Sequence, residues 1–200
     1  MGRFLSLKNV LKQNVEEISG VHLPPAGIQS SVLVLIGTPA NDPSGALAQF
    51  ILTKRTHTVL THKGQVSFPG GYREPEDNTL QDTALRESQE EIGLAPARVE
   101  VLGFLDPVRT IRDVFILPWV GLTELPYDFK LNPNEVERLI HLPVNRLITE
   151  GLAAVDIREG AVQIHSTGIY VEEELIWGAT AKMLDMMRTA FAKAGVTSLT

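Results

Sequence analysis

The chain has 200 residues, a net charge of −6, 44% hydrophobic and 21% charged residues, and no cysteine. This composition fits a single soluble globular domain over residues 1–200 and excludes disulfides, zinc-thiolate sites and thiol catalysis. The acidic balance speaks against a nucleic-acid partner, which needs a basic face. An anionic small-molecule substrate stays open, because a bound divalent metal can supply local positive charge.

No apolar run reaches transmembrane length, and the longest, Ser31–Gly37, is strand-sized. The first residues lack the apolar core and cleavage site of a secretory leader, so the expected location is cytoplasmic, with no membrane partner. "MGRFLS" fits the loose myristoylation pattern, which is short enough to match by chance.

In chain order, Phe4, Leu7, Leu11, Val15 and Ile18 recur every three or four residues and predict an amphipathic helix within 1–20. "SSVLVLIG" and "AQFILTKR" predict two buried strands joined by a turn-rich loop, "TPANDPSG". "FPGG" leads into an acidic loop, "YREPEDN", and then a helix from about Thr79 to Ile92, stopped by Gly93. "VEVLGFL" and "VFILPWVGL" predict strands. Residues 125–147 read as a loop with one or two short helices. "AAVDIREGAVQIH" and "TGIYV" read as a hairpin and a further strand. The segment 175–195 predicts a long C-terminal helix ending at Gly195. Trp177 fits the core, and Met183, Met186 and Met187 fit core packing or a homodimer contact. Strands and helices without a regular β-α-β repeat predict an α+β fold, with a mixed sheet between helices.

The densest chemistry lies in "RESQEEIGL", residues 86–94, where Glu87, Glu90 and Glu91 fall on one helical turn. At about 100° per residue, Glu91 lies about 40° from Glu87 and Glu90 about 60° to its other side. The three share a face bordering the arc of Leu80, Ala84, Ser88 and Ile92, which would pack on the sheet. Like charges at this spacing repel. Hard divalent cations take oxygen ligands, so a metal would offset the repulsion. A solvated acidic face, with Arg86 pairing to Glu90, is the plainer alternative. The glycine pair Gly70–Gly71 and the acidic loop leading into this helix favour a built site, since adjacent glycines allow close approach of another group.

These residues resemble the Nudix hydrolase pattern, Gly-x5-Glu-x7-Arg-Glu-U-x-Glu-Glu-x-Gly-U with U apolar. Gly71, Arg86, Glu87, Glu90, Glu91, Gly93 and Leu94 match it. Ser88 replaces the first U, and the spacing from Gly71 to Arg86 is one residue longer. Asp77 or Glu76 therefore stands nearest to the isolated Glu. "LTKRTHTVLTHKGQVSFPGG" is further similar to the coenzyme A pyrophosphatase subfamily, in which the longer spacing is usual. "IWGATAKML" resembles that subfamily's C-terminal helix, so the likeness spans a core of about 31–190. Leu60 stands where the subfamily has Arg, and a Leu cannot bond a phosphate.

The resemblance implies a Nudix-type fold and hydrolysis of a diphosphate joining two organic groups, with Mg²⁺ or Mn²⁺ as cofactor. Coenzyme A or its thioesters would be the substrate. The alternatives are ADP-ribose, a nucleotide sugar or another nucleoside diphosphate derivative, or a non-catalytic nucleotide-binding module. Glu87 and Glu91 are the expected metal ligands, and Glu90 is a third ligand or the general base, unless it simply pairs with Arg86. Glu135 is a second candidate base, or else an acid at a helix N-terminus. Arg55 and His62 are expected to bind substrate, or to be a strand-end charge and a surface imidazole. Gln65, Phe68, Gly70 and Gly71 would line the pocket, with Phe68 equally suited to the core. Lys63 and Arg73 read as solvated.

Overall fold

The computed structural model describes residues 7–18, 27–42, 44–56, 64–111, 113–159 and 162–199. Phe4, Leu60, His62 and Lys63 lie outside them.

The first helix, α1 (Leu7–Ile18), buries Leu7, Val10 and Leu11. Strand β1 (Ser30–Pro39) is the spine of the molecule. Along its whole length it pairs in parallel with β7 (Phe115–Leu125). Its other edge is shared: β4 (Gly70–Tyr72) pairs antiparallel over Ser30–Val32, and β2 (Gln49–Arg55) over Leu35–Gly37. Strands β2 and β4 therefore splay apart where β1 passes from one to the other. Strand β2 also pairs with β3 (Val66–Ser67) and with β8 (Val136–Pro143), while β5 (Glu100–Phe104) and β6 (Val108–Arg109) flank β7. These eight strands form one mixed sheet.

Helices cover both faces of that sheet. Val32, Val34 and Ile36 of β1 join a core with α1, α3 (Val144–Glu150) and α4 (Gly178–Lys193). Leu33 and Leu35 join a second core with Ala84 and Ile92 of α2 (Leu80–Ile92). Burial on both faces is why β1 is continuously apolar instead of alternating. A separate three-stranded sheet, β9 (Ala153–Glu159), β10 (Val162–Val171) and β11 (Glu174–Trp177), completes the α+β fold.

Three expectations are corrected. Residues 136–143 form strand β8, not loop or short helix. Charged Glu137 and Arg138 interrupt the apolar pattern, and the strand is defined by its distant partner β2. Residues 167–171 are not a separate strand, since β10 runs unbroken from Val162 to Val171. The C-terminal helix begins at Gly178, because Leu175–Trp177 pair with β10. Met183 and Met187 are buried in the core, and Met186 packs against it.

Helix α2 is delimited by its own chemistry. The Asp82 N–H donates to Thr79 Oγ1 at 3.1 Å and the Thr79 N–H donates to Asp82 Oδ2 at 2.8 Å, a reciprocal N-terminal cap. At the other end Gly93 adopts φ +68°, and its N–H donates to Gln89 O at 2.9 Å.

Candidate active site

The splay of β1 places the glycine turn against α2. Gly71 pairs with Ser31 on the face that carries α2. A Cβ on Gly71 would sit 2.4 Å from Glu87 Oε1, so a side chain there would displace that carboxylate. A Cβ on Gly70 would meet backbone instead, 2.3 Å from Ser31 O. Both glycines are required by close approach. The Gly70 N–H also donates to Glu91 Oε2 at 3.3 Å.

Glu91 is 1% exposed. Its second oxygen accepts from Arg55 Nη1 at 3.0 Å. Burial pushes its pKa up to about 8, the Arg55 charge opposes the shift, and the nearby charges of Glu87 and Glu135 add to it. Glu87 is also raised, first by burial, against the pull of Arg86. These are carboxylates whose ionised form the protein itself under-stabilises, and a cation between them would correct that.

The neighbouring wiring is the reverse. Arg86 Nε donates to Asp77 Oδ1 at 3.1 Å, Nη1 to Glu90 Oε2 at 2.9 Å, and Nη2 to Tyr72 O at 2.9 Å and Asp77 Oδ2 at 3.1 Å. Nη2 also lies 3.1 Å from Glu87 Oε1. Asp77 is 5% exposed and accepts further bonds from the Glu74 N–H and the Thr83 hydroxyl. The Arg86 guanidinium leads in holding its carboxyl at about 2. Asp77, not exposed Glu76, thus ties the acidic loop to α2. Arg73 is exposed, as expected, and also braces the same loop through the carbonyls of Asp77 and Asn78. Ser88 is fully buried, and its hydroxyl donates to Ala84 O at 2.7 Å, which accommodates a polar residue on the packed face.

The structure gathers most of the expected residues. Glu87, Glu91, Arg55, Gly70 and Gly71 converge. Glu90 is 54% exposed at the rim and in its ion pair with Arg86. Glu135 is close enough for its charge to raise both Glu87 and Glu91. It arrives there because the Asn132 N–H caps Glu91 O at 2.9 Å and the Lys130 N–H caps Ile92 O at 3.0 Å. Asn132 Nδ2 then donates to Glu135 Oε1 at 3.1 Å. Asn132 had no sequence signal beyond its turn-forming context. Gln65 is half-buried beside Arg55, whose N–H its carbonyl accepts. Phe68, which suited either the pocket or the core, is 2% exposed and packs edge-on to Phe50 in the core.

Among the described residues, no three acidic or imidazole groups stand together as a ready metal cage. The donor set still fits a hard cation: buried Glu91 and partly buried Glu87 offer oxygens whose charge burial under-stabilises. Mg²⁺ usually takes one or two carboxylates plus waters and substrate phosphate. No helix among the described residues is long and apolar enough to cross a membrane.

A family model described as NUDIX domain matches residues 32–159. A Nudix hydrolase named NudL from Photorhabdus laumondii is 32% identical over 138 residues, covering 68% of this chain and 74% of its own. One from Yersinia pestis is 34% identical over 141 residues, covering 67% and 68%. Among solved structures, a C. elegans Ap4A hydrolase in a binary complex is similar with a TM-score of 0.48 and 16% identity, covering 60% of this chain and 83% of its own. With the family model matching more than half of the sequence, and relatives above 30% identity matched through two thirds or more of their length, the chain belongs to the Nudix family.

Proposed function

We propose that this chain is a Mg²⁺- or Mn²⁺-dependent diphosphate hydrolase acting on coenzyme A or its thioesters. The products are 3′,5′-ADP and 4′-phosphopantetheine or its acyl form. The observation that carries the chemistry is the pair Glu87 and Glu91, one partly and one fully buried, one turn apart against the Gly70–Gly71 turn with their ionised forms under-stabilised. The substrate assignment rests on the resemblance of residues 52–71 to the coenzyme A subfamily.

Glu87 and Glu91 would hold the metal. When bound, the ion neutralises phosphate charge and makes a coordinated water more acidic. Glu90, half-exposed and steered by Arg86, receives the proton as water oxygen bonds to phosphorus and the bridging P–O bond breaks. Glu135 is the second candidate for that proton. Arg55, held at 3.0 Å from Glu91, supplies a cation for a phosphate oxygen at the same place.

Leu60 favours a second reading, in which ADP-ribose, a nucleotide sugar or another nucleoside diphosphate derivative is the substrate. Hydrolysis of coenzyme A against ADP-ribose with each metal, with products identified by mass, separates the two. Leu60→Arg raises coenzyme A turnover if that position serves an anionic group. Binding without turnover on every substrate would leave only a nucleotide-binding module.

A further inference from the structure

Among the described residues, the ribbon of β9 and β10 has no strand paired to the outer edge of β9. The two strands pair without a register shift from Gly168 with Ala153 to Val162 with Glu159, and β9 lies outermost in its sheet. Among the described residues, β9 has extended contact with β10 alone. Val155, Ile157 and Ile164 share one half-buried face, while Asp156, Arg158, Gln163 and His165 are exposed on the other.

A two-stranded ribbon of this size is marginal by itself in water. An unpaired edge also invites another strand unless charged side chains, a proline, a bulge or a covering element block it. In the main sheet, edge strand β5 has such a cover: α1 packs on it, with Lys8 and Lys12 at 2.7 and 3.0 Å from Glu100. Strand β9, "AAVDIRE", carries no lysine, proline or bulge, and its exposed charges, Asp156 and Arg158, are of opposite sign.

We infer that the β9 edge pairs antiparallel with β9 of a second copy of this chain, about a two-fold axis at Ile157. The charges select both occupant and register. Cross-strand opposite charges stabilise, and like charges directly opposite destabilise. An axis at Asp156 would set Asp156 against its own copy, and an axis at Arg158 would set two guanidiniums together. The axis at Ile157 sets Asp156 against Arg158 of the other copy, twice by symmetry, and brings the two Ile157 side chains together on the apolar face. A two-fold axis perpendicular to the ribbon also keeps both apolar faces on one side, extending the sheet through both copies. The inference is independent of the reading of the active site.

The test is the solution mass of the full chain. Wild type runs as a dimer. Asp156→Arg or Arg158→Asp raises the dissociation constant by about tenfold or more, since each replaces two attractive pairs with two repulsive ones. The double variant Asp156→Arg with Arg158→Asp restores the dimer. Because the chain has no cysteine, Ile157→Cys can cross-link only to its own copy, and it does so on mild oxidation. Val155→Cys does not, because in this register the two positions are offset by about 14 Å along the strands. Far-UV circular dichroism checks that each variant is folded. A monomeric wild type overturns the inference, as does a dimer indifferent to single reversals or a Val155→Cys cross-link as efficient as that of Ile157→Cys.

Discussion

Asp77 and Glu91 are both buried carboxylates beside α2, and their environments drive them in opposite directions. Asp77 meets four donor groups, two of them on Arg86, and is held at about 2. Glu91 accepts from Arg55 and the Gly70 N–H, and is pushed to about 8. The difference lies in what burial is exchanged for. At Asp77 the lost hydration is replaced by a guanidinium and fixed dipoles, so the charge is structural. At Glu91 it is replaced only in part, while Glu87 and Glu135 add repulsion. Such a carboxylate remains receptive to a cation. The acid that holds the fold and the acids assigned to chemistry are thus separated within one loop and one helix.

The comparison breaks most sharply at the assigned ligands. Glu91→Gln and Glu87→Gln are each expected to lower metal-dependent diphosphate hydrolysis by about 10³-fold, the order set by removing several kcal/mol of charge stabilisation. Their melting temperatures should hold or rise without metal, since each removes a carboxylate whose charge burial under-stabilises. Added Mg²⁺ should raise the melting temperature of wild type more than that of either variant. A large stability loss in Glu91→Gln would place it in the same structural class as Asp77.

Asp77→Asn should do the converse and destabilise the chain by about 2–3 kcal/mol, because it strips Arg86 of its buried partner. Melting should fall by about 5–10 °C for a chain of this size. An unchanged melting temperature would contradict the clamp.

Gly71→Ala sharpens the distinction by steric means. The three atoms nearest its Cβ all belong to the Glu87 carboxylate, so it should cost about 10-fold or more in activity with little change in melting. Gly70→Ala meets backbone and should destabilise the fold.

The smallest effect is in acid. A carboxyl depressed in the folded state contributes stability that is present above its ordinary value, near 3.8, and lost as pH falls towards about 2. Wild type should therefore lose melting temperature over that interval, and Asp77→Asn should lose less.

Some of this was legible locally. The apolar run of β1, the cap residues Thr79 and Gly93, and the crowding of Glu87, Glu90 and Glu91 are neighbour effects, and pattern alone reveals them. Strand β8 was not legible, because its charged residues hide a strand that exists through pairing with β2, some ninety residues earlier in the chain. Phe68 read equally as pocket or core, and the choice belonged to Phe50. Asp77 stood out in sequence as a spacing anomaly. Its meaning came from Arg86.

The sequence by itself determined the helices, the apolar strands and the class of chemistry, since helix periodicity, capping and carboxylate spacing are set by residues within a few positions of each other. Only the tertiary structure decided which carboxylate is a clamp and which are left under-stabilised by burial. That depends on burial and on donors brought from elsewhere: Arg55 reaches Glu91 across 36 positions, and Gly70 reaches it across 21. Desolvation and its compensation are properties of the folded interior, and no local pattern encodes them.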